Sequence, residues 1–190
     1  YMIGKLSDKI NVPFGVNVLW DPISTIALAV STNAKFVREI FTGTYASDMG
    51  IWSPNAGEAM RYRNSLGRKD IQMYYNISAE FAYSLDRRTI ADRAESTVFS
   101  SIPDAVLVSG QITGQSAKLE EIKEVSKVIP KTPVLANTGV NLDNVEEILK
   151  VTDGVIIGSS LKIKGDTWKN VDLNRAKKFM SKVRSIKKNA

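Results

Sequence analysis

The chain has 190 residues, 43% hydrophobic and 24% charged, the proportions of a single soluble domain long enough to bury a core. It contains no cysteine and no histidine, which excludes disulfides, thiolate nucleophiles, an imidazole base, a Ser-His-Asp triad and imidazole-bound metal. The formal net charge is +6; from Leu173 onward there are seven basic residues and no acidic one, so the body before it is close to neutral.

Strand-like and helix-like segments then alternate along the chain. Residues 1–10 (YMIGKLSDKI) read as a helical fragment. Residues 14–20 (FGVNVLW) read as a strand, and 22–31 as a helix with Pro22 in its first turn and Asp21, on the simplest reading, as its N-cap. A strand at 35–41 (KFVREIF) precedes a long turn at 42–55, and a helix at 56–66 stops at Gly67. A strand at 71–78 (IQMYYNIS) leads to a helix at 86–101. A short buried strand at 104–110 leads to a helix at 118–129, ended by Pro130. The series closes with a strand at 132–137, a helix at 141–151 capped by Asn141, a strand at 154–159, and a last helix capped by Asp172.

About six βα units with apolar strands predict an α/β fold, a parallel sheet covered by helices. Two architectures compete, an open doubly wound sheet and a (β/α)8 TIM-type barrel. The run of similar units, with no G-x-G-x-x-G turn, favours the barrel. A closed barrel takes eight strands, so residues 1–190 are expected to be a single barrel domain comprising strands three to eight, lacking an N-terminal βαβ segment.

Polar residues inside the strands suggest a lined cavity at the barrel mouth. Asn17, the pair Arg38-Glu39, and the alternating set Gln72, Tyr74, Asn76 and Ser78 all break otherwise apolar runs. The competing explanation is an edge strand with one wet face. The last two strands end alike, at Asn137-Thr138-Gly139 and at Gly158-Ser159-Ser160, and SGQITGQ (109–115) is a third break of the same kind. Glycine serves ordinary turns. It also lets a backbone approach an anion, and a barrel commonly binds phosphate after its final strands. Gly110, Asn137, Gly139, Gly158, Ser159 and Ser160 are therefore the expected phosphate-binding set. Lys162 either adds charge there or is solvated.

Asp48, in a long loop after a strand, reads either as a proton carrier or as the start of a turn before Gly50. Glu39 within a strand needs a partner or a polar cavity. An Arg38-Glu39 cluster facing a polar cavity is one reading; because the two point to opposite faces, the other is that one of them serves only as a salt bridge beneath a helix. No lysine sits in a strand core, which argues against Schiff-base chemistry. Tyr74 and Tyr75 suit packing, and Trp20 and Trp52, near strand ends, would wall a pocket. No cofactor is expected, although an oxygen-ligated Mg²⁺ is compatible with this composition. The C-terminal helix carries Leu173, Ala176, Phe179, Met180, Val183 and Ile186 at helical spacing among its lysines and arginines. It reads as the last barrel helix or as a membrane-surface helix. Nucleic acid is not expected as a partner, because no groove-reading or aromatic motif accompanies the charge. No apolar run reaches bilayer length and the start lacks a signal-peptide core, so a cytoplasmic location is expected. An open barrel edge would also permit a homo-oligomer.

The motifs PFGVNVLWDP, KFVREIFTGTYASDMGIW, TPVLANTGV with NVEEIL, and DGVIIGSSLKIKG with VDLNRAKKFM are similar to the BtpA/SgcQ family, over about residues 12–179. The resemblance implies a longer TIM-type barrel. It also implies two contexts: a peripheral membrane protein connected with photosystem I, and barrel enzymes associated with sugar metabolism. It places Asn17, Arg38, Asp48 and Asn76 at the barrel mouth. Some members carry aspartate and histidine where this chain has Asn76 and Ser78, which argues against proton transfer at those two. The resulting expectation is an enzyme that binds a phosphorylated small metabolite, preferably a sugar phosphate. Asn17, Arg38 and Asn76 would contact the substrate, and Asp48 or Glu39 would perform acid–base chemistry. The alternative is a non-enzymatic, membrane-peripheral assembly factor.

Overall fold

The computed structural model describes residues 1–188, with side chains through Ile186. Lys187 and Lys188 belong to the backbone of the last helix, and their side chains lie outside the described set. The chain opens with α1 (Met2–Leu6), β1 (Gly15–Val16), α2 (Pro22–Thr32) and β2 (Phe36–Glu39). A hairpin follows, β3 (Tyr45–Ser47) and β4 (Gly50–Trp52), then α3 (Ala56–Ser65), β5 (Gln72–Asn76) and β6 (Ala82–Ser84). The second half runs α4 (Ile90–Ser101), β7 (Ala105–Ser109), α5 (Leu119–Val128), β8 (Val134–Asn137), α6 (Val145–Leu149), β9 (Gly154–Val155) and α7 (Leu173–Lys188).

Six strands pair in the order β1-β2-β5-β7-β8-β9, every pair parallel. Neighbours in space are thus successive along the chain, with helices in the connections, which is the winding of a TIM-type barrel rather than of a doubly wound sheet. Register sets the two faces. Val37, Met73, Tyr75, Val106, Val108, Val134 and Ala136 pack with residues of the helices, in two clusters. One cluster gathers around Ile26, Ala29 and Ala59, the other around Ile122, Val125, Val145 and Phe179. Phe36, Tyr74, Leu107 and Leu135 share the opposite, concave face.

Local chemistry explains the element ends. Asp21 accepts the Ser24 N–H at 2.8 Å, so the expected N-cap of α2 is present, with Pro22 at its first position. Asp172 accepts the N–H groups of Asn174 and Arg175 and caps α7. Several boundaries differ from the sequence reading, among them β1 and β9, each two residues long where strands at 14–20 and 154–159 are expected. The helix expected from residue 86 begins at Ile90, because Thr89 and Asp92 form a capping box while Asp86 folds a turn with Arg88. Asn141 caps the turn that precedes α6 rather than α6 itself, accepting from Asp143 and Asn144. Residues 42–55 are not a plain turn. They contain the hairpin β3–β4, which β6 joins to make a second, antiparallel sheet of three strands.

Candidate functional site

The parallel strands all deliver their C-terminal ends to one side, and the polar residues noted in the sequence gather there. Asn76, Ser109 and Asn137, at the ends of β5, β7 and β8, are 3%, 5% and 2% exposed, so their polar groups need internal partners. They find them in each other. The Asn76 and Asn137 amides both donate to Ser109 Oγ, at 2.9 and 2.6 Å. Ser78 joins through Ser109, whose N–H donates to Ser78 Oγ at 2.6 Å. Asn137 Oδ1 accepts no hydrogen bond among the described residues, and Asn137 lines the hollow above.

That hollow measures about 970 Å³. On one side it is lined by Arg38, Glu80 and Asn137, on the other by the turns after β8 and β9. At its floor Arg38 and Glu80 form an ion pair at 3.1 Å. Glu80 Oε1 also takes a bond from Asn137 Nδ2 at 3.3 Å, and Oε2 one from Thr113 Oγ1 at 3.0 Å. The Glu80 side chain is 16% exposed and Arg38 Nε is buried without a partner. Sequence reasoning missed Glu80. The available signal was a carboxylate in the loop just after a barrel strand, where catalytic groups concentrate.

The turn after β9 fits the expected anion set best. Gly158 leads into a single 3-10 turn, Ser159–Leu161. Among the described residues the N–H groups of Gly158, Ser159 and Ser160 donate to no protein acceptor, and neither does that of Gly139 across the hollow. A Cβ built on Gly158 would meet nothing within 4 Å, so the space in front of this glycine is open. Arg175 Nε holds the turn from behind through the Ser160 carbonyl, at 2.8 Å, and both Arg175 and Lys162 line the hollow. Ser159 Oγ bonds Thr167 Oγ1 at 2.7 Å.

Five expected residues do not line the hollow: Asn76, held in the network beneath it, and Gly110, Asp48, Glu39 and Asn17. The Gly110 N–H is taken by Thr138 Oγ1 at 2.7 Å, and a Cβ there would sit 2.1 Å from the Gln115 carbonyl oxygen, so its own loop requires the glycine. Asp48 is exposed at the two-residue tip between β3 and β4, and it does not line the hollow either. Glu39 lies beneath the mouth, 2% exposed. Its carboxylate accepts from the Asn17 amide and from the N–H groups of Trp20, at 3.1 Å, and Ile40, at 2.7 Å. Burial raises its pKa above the usual glutamate range, against the pull of those donors and of Arg38. The bond to Glu39 turns the Asn17 amide away from the large hollow, and both line a smaller one of about 190 Å³ beside Trp20. Of the pair Arg38-Glu39, it is Arg38 that forms a salt bridge, with Glu80. Trp20 and Trp52 stack at 5.0 Å, tying the hairpin to the loop after β1. No group of three or more carboxylates placed to hold a metal occurs among the described residues.

Residues 1–185 match the BtpA family as a whole. The chain is 46% identical over 187 residues to the sgc region protein SgcQ of Escherichia coli K12, an alignment covering 98% of this chain and 70% of that one. It is 30% identical over 181 residues to the photosystem I biogenesis protein BtpA of Synechocystis, covering 94% and 63%. It thus spans about two thirds of the length of these curated relatives. Among solved structures, a native KDPGal structure superposes with a TM-score of 0.60 at 14% identity, covering 98% of this chain and 75% of that one, which bears on the fold alone. The chain belongs to the BtpA family.

Proposed function

We propose that this BtpA-family chain is the greater part of an enzyme that binds a phosphorylated small metabolite, by preference a sugar phosphate, at the C-terminal face of its barrel. The observation that carries the reading is the turn Gly158–Ser160. It combines an open glycine with N–H groups that no protein acceptor takes, and it lies on the same hollow as Lys162, Arg175 and Arg38. Uncommitted donors beside cationic side chains are what an oxyanion requires. Gly139, Gly158, Ser159 and Ser160 hold the phosphate, and Arg38, Asn76 and Asn137 face or support the rest of the ligand. The chemistry in this reading is acid–base work by a carboxylate, a group the lining supplies in Glu80 and Asp143.

A thermal-shift screen of the full-length protein tests this, comparing phosphorylated compounds with their dephosphorylated counterparts. A ligand at about 100 times its Kd adds roughly 2.7 kcal/mol of stability, which a melting curve resolves. The expected result is a response to phosphorylated compounds only, lost in Gly158→Asp, a substitution the open space accommodates. Silence across a broad set of phosphates overturns the reading.

A second reading is a membrane-peripheral factor, and one observation favours it. Trp168, Val171 and Leu173 are 93%, 64% and 65% exposed beside Lys164 and Lys169, an apolar rim with cationic flanks. No helix among the described residues is long and apolar enough to cross a membrane. Co-sedimentation with anionic but not neutral vesicles, lost in Trp168→Ser, would support that reading over the enzyme.

A further inference from the structure

We infer that Glu80 is the catalytic base of this site, and that the reaction it serves is removal of a proton from a carbon next to the substrate's carbonyl. The inference rests on the phosphate reading above and names the group that acts on the other end of the same ligand.

The hollow has two carboxylates on its lining, Glu80 and Asp143. Asp143 is exposed at the rim, at the start of the α6 turn. Glu80 is on the floor, its two oxygens fixed by Arg38, Asn137 and Thr113. A carboxylate offers about four lone-pair directions, so three bonds leave one unused, on Oε2 of a residue that lines the hollow. Holding an acceptor in place before the substrate arrives is what proton abstraction needs. Glu39, the other buried acid of this region, is 2% exposed and does not line this hollow.

The surroundings of Glu80 fit the rest of the step. When Glu80 takes the proton, the C–H electron pair becomes a carbon–carbon double bond and the carbonyl oxygen becomes an enolate oxygen. Arg38 meets that charge: Nη2 is spent on Glu80, while Nη1 donates to no protein acceptor among the described residues. Asn137 Oδ1, which accepts nothing, is placed to take a substrate hydroxyl. Returning the proton from Glu80 closes the cycle without a redox partner. The substrate class is accordingly a phosphorylated α-hydroxy ketone or aldehyde.

The test is proton exchange in deuterium oxide, followed by NMR, with the full-length protein and a panel of three- to six-carbon ketose and aldose phosphates. The wild type is expected to exchange an α-proton of a compound that also raises its melting temperature. Glu80→Gln keeps an acceptor for Arg38 and so should retain the ligand-induced shift, while exchange falls about 10²- to 10⁴-fold. Glu80→Asp, which keeps the carboxylate at a shorter reach, should recover part of the rate. Binding with no exchange in the wild type, or exchange that persists in Glu80→Gln, overturns the role of Glu80 and leaves the phosphate reading standing. Failure of every phosphorylated compound to bind removes the phosphate reading first, and this one with it.

Discussion

Glu39 shows how a residue can be located from sequence while its partners stay hidden. A carboxylate inside the strand of residues 35–41 had to be either paired or functional. The structure resolves this by backbone donation: the loop after β1 brings the Trp20 N–H and the Asn17 amide onto the carboxylate. Trp20 adopts φ 61° there, a left-handed conformation that the hydrogen bond and the Trp52 stack together hold. No pattern in a single strand reveals such a loop. Two expectations follow from its burial. Glu39→Ala strands three donors and should cost roughly 3 kcal/mol in chemical denaturation. The raised pKa means that the folded protein holds this proton more tightly than the unfolded chain does. Its stabilising contribution is therefore full below about pH 4.3, the unfolded value, and is lost as pH rises through the folded value. Glu39→Gln does not titrate, so its melting temperature minus that of the wild type should become more positive from pH 4 to pH 7. A difference that stays flat across that window would sink this account. Glu80 escaped notice for another reason. Its importance comes from β2, β5, β7 and β8 converging, and the three residues between β5 and Glu80 carry no periodicity.

Elements with a strong period were legible and those without were not. The six parallel strands and their covering helices follow from short apolar runs such as Ala105–Val108 and from caps such as Asp21 and Asp172. The antiparallel sheet is built from three-residue strands, YAS, GIW and AYS, too short to show alternation, with Ile51 and Tyr83 about three-quarters exposed. The periodicity of α7 predicts a helix but leaves two roles open, and its burial divides them. Phe179 is 3% exposed within the C-terminal cluster, and Val183 and Ile186 pack against the same cluster. Its apolar stripe is thus spent on the barrel, and what remains outward is charge together with Leu173 and Met180. Phe179→Ala should accordingly destabilise the protein by about 3–5 kcal/mol, while Leu173→Ala stays within about 0.5 kcal/mol. Equal, small effects on the melting temperature would mean that α7 does not dock. Because Phe179 belongs to the core, the apolar rim is better probed at Trp168 than by removing the helix.

At the scale of the molecule, two hydrophobic clusters share one sheet. The N-terminal cluster includes Tyr75 of β5 and the C-terminal cluster Val106 of β7, and these two residues are register partners across the parallel ladder. The backbone therefore runs continuously through a seam in side-chain packing. Such a molecule should open from its margins and not at the seam. β7 has neighbours on both sides, and Val106, Leu107 and Val108 are completely buried. β1 and β9 are two residues long, each paired to one neighbour among the described residues. Amide hydrogen exchange in native conditions follows local opening energies, which range from near zero at frayed edges up to the global stability in the core. The amides of Val106 and Val108 should exchange only with global unfolding, as should those of β5 beside them. Those of Gly15, Val16, Gly154 and Val155 should exchange earlier. Gly154 and Val155 lead into the Gly158 turn, so a bound phosphorylated ligand should slow their exchange while leaving β7 relatively less affected. Exchange in β5 that runs well ahead of β7 would show instead that the seam is a hinge between two separately folding halves. The hollow would then lie over a joint, with Arg38 and Glu80 on one side and the Gly158 turn on the other.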